Sequence, residues 1–355
     1  MIEPSTEISK RLIYWYLKNK RSMPWRGHKD PYFIWLSEII LQQTQVAQGT
    51  PYYNAFVSKY PDVWTLAEAS EEEVLKLWQG LGYYSRARNL HATAKTVALE
   101  HQGVFPVTYK GLLALQGIGD YTASAIASIC YDLPTAVVDG NVYRVLSRVM
   151  GIDEPVNSPK GVKLFKALAQ ALLDPRAPGD HNQAIMEFGA LQCKPKQPSC
   201  DSCPLADCCQ AKAQGLVAQL PVKHKTVKVK EHHFNFIVPL TASGATTMRL
   251  RSQKGIWQQL YQFPLIDTSQ FLTQEALLGH EDFMALTSDW GWSAMRRHNP
   301  EPYVHRLTHK KLLVSFWILE GVSLQQDLLS PRQLQELPVP VVIERFISEF
   351  APFRF

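Results

Sequence analysis

The apolar pattern of this 355-residue chain changes period once, and that change demands two differently built domains. Up to about residue 212, apolar residues recur at helical spacing in segments such as PYFIWLSEIILQQTQV and VKLFKALAQALLD. Asp30-Pro31 and Ser158-Pro159 each offer a side-chain cap followed by a proline for the first helical position. In the second of these helices Leu164, Leu168 and Leu172 fall on one stripe, the expected core face. From 213 to 231 a polar, lysine-rich stretch containing LPVKHKTVKVKEHH keeps no period and reads as a linker. Beyond it Phe234, Phe236, Val238 and Leu240 alternate with other residues, as do Leu312, Val314, Phe316 and Ile318, which is strand spacing. A helix through VVIERFISEF closes the chain. The expected architecture is a mainly α domain over 1–212 and a smaller α+β domain over 232–355, each long enough to bury its own core.

No apolar run approaches the roughly 18 residues of a membrane span, and MIEPSTEISKR lacks the apolar centre of an export signal. A cytoplasmic protein with no membrane partner is expected. The net charge of +5 admits a polyanionic partner without requiring one.

Five of the six cysteines crowd into CKPKQPSCDSCPLADCC, residues 193–209. In a reducing compartment such crowding points to metal ligation before disulfides. Cys193, Cys200, Cys203 and Cys209 are separated by six, two and five residues. One compact loop of four thiolates suits a cuboidal iron-sulfur cluster better than zinc, whose four-thiolate sites usually join two distant pairs; zinc and unligated thiols stay open as alternatives. Cys208 is the extra thiol, and Cys130, in YTASAIASIC, reads as a small core residue. Lys194 and Lys196 lie between the first two ligands, solvated or turned toward phosphates.

In LLALQGIGDYTASAIASI, Gly117 and Gly119 bracket one apolar residue between two helical stretches. Such a turn can aim backbone N–H groups and a helix N-terminus at a phosphate oxygen, although a bare turn is the simpler reading of the spacing alone. The hairpin, the aspartate of VVDGNVYRVLSR and the four-cysteine loop together resemble the endonuclease III superfamily of DNA glycosylases, which carry a [4Fe-4S] cluster. Within that superfamily MPWR, SEIILQQTQV, GLGYYSRARNL and HNQAIMEFGA resemble the MutY-type adenine glycosylases, which remove adenine paired with 8-oxoguanine or guanine in double-stranded DNA. The resemblance implies a helix-hairpin-helix glycosylase domain with its cluster loop at 193–209, acting as a monomer.

Releasing adenine needs a proton for the leaving base and a negative charge for the sugar cation. Glu38, with Ile34, Trp35 and Leu41 as helical neighbours, is suited to stay protonated, against the plainer reading of an exposed helix glutamate. Asp139 reads first as an N-cap, and a cap can also be catalytic. By resemblance Glu38 protonates adenine, Asp139 steadies the sugar cation, and Asn141 and Tyr121 stand in the same site. Bifunctional relatives carry a lysine where Tyr121 stands; a phenol forms no imine, so base removal without efficient strand cleavage is expected. The resemblance also places Trp25, Arg26 and Gln183 around the flipped base, and Gln43, Thr44, Leu81 and Tyr83 as wedges in the duplex.

RSQKGIWQQLYQFP resembles the strand region of a Nudix-like fold. Tyr261 stands six residues after Gly255, where a hydrolysing Nudix box has Glu, and no acidic run follows, so this domain is expected to recognise rather than hydrolyse. The family's Phe-Ser-His lesion-contacting loop is matched by Leu307-Thr308-His309, which keeps a hydroxyl at Thr308 and the imidazole of His309. Two other functions fit parts of this pattern: an endonuclease III-type glycosylase/lyase for oxidised pyrimidines, which Tyr121 disfavours, and a non-catalytic iron-sulfur sensor of DNA damage.

Overall fold

The computed structural model describes residues 4–224, 229–324 and 327–354. The helices α1 (Pro4–Asn19), α2 (Pro31–Leu41), α3 (Val46–Lys59), α4 (Val63–Glu68), α5 (Glu71–Leu77) and α6 (Ser85–Leu99) come first. They are followed by α7 (Tyr109–Ala114), α8 (Asp120–Tyr131), α9 (Gly140–Met150), α10 (Pro159–Leu172), α11 (Pro178–Leu191) and α12 (Gln210–Ala213). The remainder runs β1 (Lys230–Leu240), β2 (Arg249–Leu250), β3 (Tyr261–Gln262), β4 (Leu265–Thr268), α13 (Gln274–Leu278), α14 (Glu281–Thr287), β5 (Ala294–Arg297), β6 (Tyr303–Arg306), β7 (Lys310–Glu320), α15 (Pro331–Glu336) and α16 (Val341–Glu349). Part of the stretch read as a linker, residues 225–228, lies outside the described residues, and β1 starts at Lys230, just before the expected linker end.

Both expected helix starts form. Asp30 accepts from the Tyr32 N–H at 2.8 Å and Ser158 from the Gly161 N–H at 2.8 Å. The stripe of α10 departs from expectation: Leu164 and Leu168 are only half-buried, while Gly161, Phe165, Ala169 and Leu172 face the core. Packing decides the face: Phe165, fully buried, packs edge-on against Tyr143 of α9, and the leucines one position before Phe165 and Ala169 are left at the edge.

The chain divides into two compact units, and the division does not follow sequence order. One unit combines the residues up to Ala69 with Asn89 through the linker; the other combines Ser70–Arg88 with everything after the linker. Helical spacing alone assigns Ser70–Arg88 to the domain over 1–212, and the structure groups it otherwise. Backbone groups explain the grouping, because Lys76 Nζ donates to the Leu337 carbonyl at 3.2 Å, Arg88 Nη1 to the Gln258 carbonyl at 2.8 Å, and Gln79 Oε1 accepts from the Val339 N–H at 3.0 Å. None of those partners is visible as a pattern in sequence.

In the C-terminal unit the main sheet runs β4-β1-β7-β5, with β6 also on β7. The two long strands β1 and β7 are parallel, Phe236 opposite Phe316, and their outer neighbours are antiparallel. Alternation sends Ile237, Trp317 and Leu319 to one face with Phe283 and Trp290, and Phe236 and Phe316 to the other with Phe263, Phe346 and Phe353. Both strands are therefore buried on both sides. Among the described residues no helix is long and apolar enough to cross a membrane.

Candidate active site

A cavity of about 470 Å³ opens in the helical unit, within the usual range for small-molecule sites. Four segments build it: the loop carrying Trp25 and Arg26, the end of α2 with Glu38, Gln43 and Thr44, the start of α8 with Tyr121, and the facing ends of α9 and α11 with Asp139, Asn141 and Gln183. Nine residues that the family resemblance singles out thus line one cavity.

Glu38 projects from α2 beside two buried tryptophan and isoleucine neighbours, Trp35 and Ile34. Burial pushes its carboxyl up to about 7; a hydrogen bond with Tyr121 pulls the other way, and the charge of Asp139 adds to the rise. At neutral pH Glu38 is therefore far closer to holding a proton than an ordinary glutamate is. Burial, then the charges of Glu38 and Asp139, push the Tyr121 phenol well above its ordinary range, so it stays a neutral hydroxyl.

Asp139 is the N-cap of α9: Oδ1 accepts from the N–H of Asn141 at 2.8 Å and of Val142 at 2.7 Å. Its other oxygen accepts from Asn141 Nδ2 at 2.7 Å. Burial raises the proton affinity of Asp139, while these three bonds and the Arg144 charge oppose it. The segment leading to it is pinned by buried amides, with the Val137 N–H donating to Asn182 Oδ1 at 3.2 Å and Asn182 Nδ2 to the Thr135 carbonyl at 2.8 Å. Gly189 on α11 lets Asn141 approach; a Cβ there would lie 2.6 Å from that of Asn141. An acid near neutrality and a carboxylate held by three donors thus face one pocket.

Arg144 extends this network to the cysteine loop. Its Nη2 donates to Asn141 Oδ1 at 2.8 Å and to the Gly189 carbonyl at 2.6 Å, and its Nε to the Cys193 carbonyl at 2.7 Å. Arg148 continues it, donating to the Lys194 carbonyl at 2.7 Å and to Cys193 Sγ at 3.4 Å. None of the six cysteines is joined in a disulfide. Burial pushes Cys203 up to about 11, a hydrogen bond from the Leu205 N–H opposes it, and the charges of Cys193, Cys209 and Cys200, the other three candidate ligands, add to the rise. Cys208 is absent from that set and turns its Sγ to the Leu205 carbonyl at 3.5 Å. Among the described residues no three His, Cys, Asp or Glu side chains converge as they would on a single metal ion. A cuboidal cluster spreads its four thiolates over four corners, and the donor set fits that group.

Sequence reasoning missed Glu187, only 3 % exposed and one helical turn from Gln183 in HNQAIMEFGA. Arg21 grips it bidentately at 2.8 and 2.9 Å and Arg26 adds a bond of 3.0 Å. Burial opposes ionisation, but Arg21 and then Arg26 outweigh it and hold the carboxyl at about 2. The i, i+4 spacing with Gln183 was the available signal. Glu187→Gln should lower stability by about 3 kcal/mol, because two guanidinium groups lose their anion. Calorimetry should show Tm falling by about 10 °C; a fall within about 2 °C would mean the arginines find other partners.

Trp25 is buried and packs edge-on against Tyr53 at 5.1 Å, and Gln183 Oε1 accepts from the Tyr16 hydroxyl at 3.0 Å. Gln43 takes a left-handed φ of 56° just after α2, which breaks the helix beside Thr44. Gly117, at φ 76°, makes the hairpin before α8 and comes so near Asn89 that a Cβ would sit 2.6 Å from the Asn89 Cβ; Gly119 is the N-cap. Neither glycine lines the cavity. In the C-terminal unit, Leu81 is buried and Tyr83 is 54 % exposed with φ 49°. The Tyr83 hydroxyl lies 2.8 Å from Thr308 Oγ1, joining two residues 225 positions apart. Thr308 and His309 are exposed at the tip between β6 and β7.

Residues 36–170 match the HhH-GPD superfamily base excision DNA repair proteins, and residues 235–349 match the NUDIX domain. The chain is 36% identical over 262 residues to the adenine DNA glycosylase of Buchnera aphidicola subsp. Schizaphis graminum, covering 74% of this chain and 75% of that protein. It is 46% identical over 229 residues to the adenine DNA glycosylase of Rattus norvegicus, covering 61% of this chain and 44% of that one. The chain thus spans less than half the length of the mammalian relatives it matches. Among solved structures it resembles a thermostable thymine-DNA glycosylase with a TM-score of 0.55 and 27% identity, covering 59% of this chain and 97% of that one. A non-covalent endonuclease III-DNA complex, at 20% identity and a TM-score of 0.51 over 61% of this chain and 99% of that one, shares the fold.

Proposed function

The chain belongs to the family of the adenine DNA glycosylases, and from that membership we propose that it hydrolyses the N-glycosidic bond of adenine opposite 8-oxoguanine or guanine in duplex DNA. The observation that carries this reading is the pairing, in one cavity, of an acid poised near neutrality with a carboxylate held by three donors.

Adenine inside a duplex is out of reach, so the nucleotide is extruded into the cavity at a cost of a few kcal/mol. Trp25, Arg26, Gln183 and the Glu187 carboxylate supply an aromatic wall, donors and acceptors for a purine edge. Glu38 then gives its proton to the leaving base while Asp139, whose ionised form the donors of Asn141 and the first turn of α9 favour against burial, stabilises the sugar as it becomes cationic. Water completes the hydrolysis. Tyr121 offers no amine to the sugar, so the strand stays intact.

Cys193, Cys200, Cys203 and Cys209 would hold a [4Fe-4S] cluster. When bound, such a cluster crosslinks its loop, and the bonds of Arg144 and Arg148 to that loop tie its shape to the placement of Asp139. In the C-terminal unit, Tyr83, Thr308 and His309 form the surface we assign to the lesion strand, with the Tyr83–Thr308 bond as support.

The test uses purified protein and duplexes with adenine opposite 8-oxoguanine. Free adenine, with strand breaks only after hot alkali, is the expected result. Breaks without alkali would indicate a lyase, and tight binding with no adenine released would indicate a sensor. Iron analysis at four per chain checks the cluster.

A further inference from the structure

The Tyr121 hydroxyl has one proton and two acceptors. Its oxygen lies 3.2 Å from Met186 Sδ, and Glu38 lines the same cavity, close enough for the phenol and the carboxyl to shift one another. Met186 sits on α11 and lines the cavity, partly exposed, so its sulfur is fixed by the same helix that carries Gln183 and Glu187. A thioether accepts weakly and cannot donate, which sets the direction of the bond: Tyr121 gives its proton to sulfur or to Glu38, and to neither fully if shared. An ionised Glu38 attracts that proton strongly because the bond is charge-assisted; a neutral Glu38 attracts it much less, and sulfur can then take it.

We propose that Met186 is a positioning residue for the acid: by giving the Tyr121 hydroxyl a second acceptor, it favours the protonated form of Glu38. The inference rests on the reading of Glu38 as the proton donor. Removing the sulfur leaves Tyr121 donating to Glu38 in both states, which favours the carboxylate and weakens the acid. Other titratable and charged groups also surround Glu38. They are Cys130 on α8, whose thiol burial pushes up to about 12, Asp139 at the start of α9 with Arg144 behind it, and Glu187 with Arg21 and Arg26 across the cavity; α3 contributes only Val46 to the lining.

Single-turnover adenine release between about pH 5 and 9 tests this in wild type, Met186→Leu, Tyr121→Phe and the double variant. Leucine conserves volume, so folding should be little disturbed, as melting curves check. The midpoint of the alkaline fall in rate should move to lower pH by about half a unit in Met186→Leu, the size of a weak hydrogen bond. In the Tyr121→Phe background the same change should move nothing. Carbon-13 NMR of the Glu38 carboxyl, assigned by its loss in Glu38→Gln, reads the same midpoints where release is too slow. An unshifted midpoint in Met186→Leu, or an equal shift with and without the phenol, overturns the proposal. A wild-type profile with no fall near pH 7 overturns instead the reading of Glu38.

Discussion

Glu38→Gln should bind the lesion duplex with wild-type affinity and release adenine about 10²- to 10⁴-fold more slowly at pH 7, the usual contribution of a general acid. The amide keeps the shape of the side chain and an oxygen for the Tyr121 hydroxyl, so what is lost is the proton. Wild-type rate should be level below pH 7 and fall above it, because burial holds the Glu38 carboxyl at about 7 and only the protonated form donates. The residual rate of Glu38→Gln should lack that limb. Stability should run the opposite way. The folded pKa of about 7 lies above the ordinary 4.5, so the folded state binds more protons between those values and wild-type stability falls as pH rises through that window. Glu38→Gln should therefore unfold at a higher temperature than wild type above pH 7, by up to about 3 kcal/mol, with the gap closing near pH 4.5. Undiminished release by this variant would place the acid elsewhere.

That gain on neutralising Glu38 marks the site as a place where local rules give way to chemistry, and such places were only partly legible in the sequence. Asp30, Ser158 and Asp139 are visible as caps because capping is set by near neighbours. The strands β1 and β7 are visible because their side chains alternate. Partners distant in sequence left no local mark. Arg144 reads as one more cation on a helix until the fold brings Gly189 and Cys193, 45 and 49 positions away, to its guanidinium. Glu187 looks like a surface residue until Arg21 and Arg26 arrive from 166 and 161 positions away. The grouping of Ser70–Arg88 with the C-terminal unit rests on backbone carbonyls, which carry no residue identity. The family resemblance, by contrast, brought Glu38, Asp139 and Tyr121 together in advance, and the cavity contains all three.

Asp139→Asn should cut adenine release by about 10²- to 10³-fold, the typical effect of removing a preorganised electrostatic partner from a developing charge. The substitution leaves Oδ1 free to cap α9 through the N–H groups of Asn141 and Val142, so the helix start should survive. On the other side the new amide would point an N–H group at Asn141 Nδ2, which donates to that position across 2.7 Å. Turning the Asn141 amide over to relieve this would face its N–H groups toward Arg144 Nη2, which now donates to Asn141 Oδ1 at 2.8 Å. Both arrangements leave donor against donor, so a second variant separates charge from geometry: Asn141→Ala removes the conflict but keeps the carboxylate, and it should retain more activity than Asp139→Asn. The alkaline fall in rate should persist in Asp139→Asn, because Glu38 is intact, and should move to lower pH, because the charge of Asp139 helps raise the Glu38 carboxyl. Single-turnover release across pH reads both effects. A rate within tenfold of wild type with an unmoved limb would show that the sugar cation is stabilised by some other group.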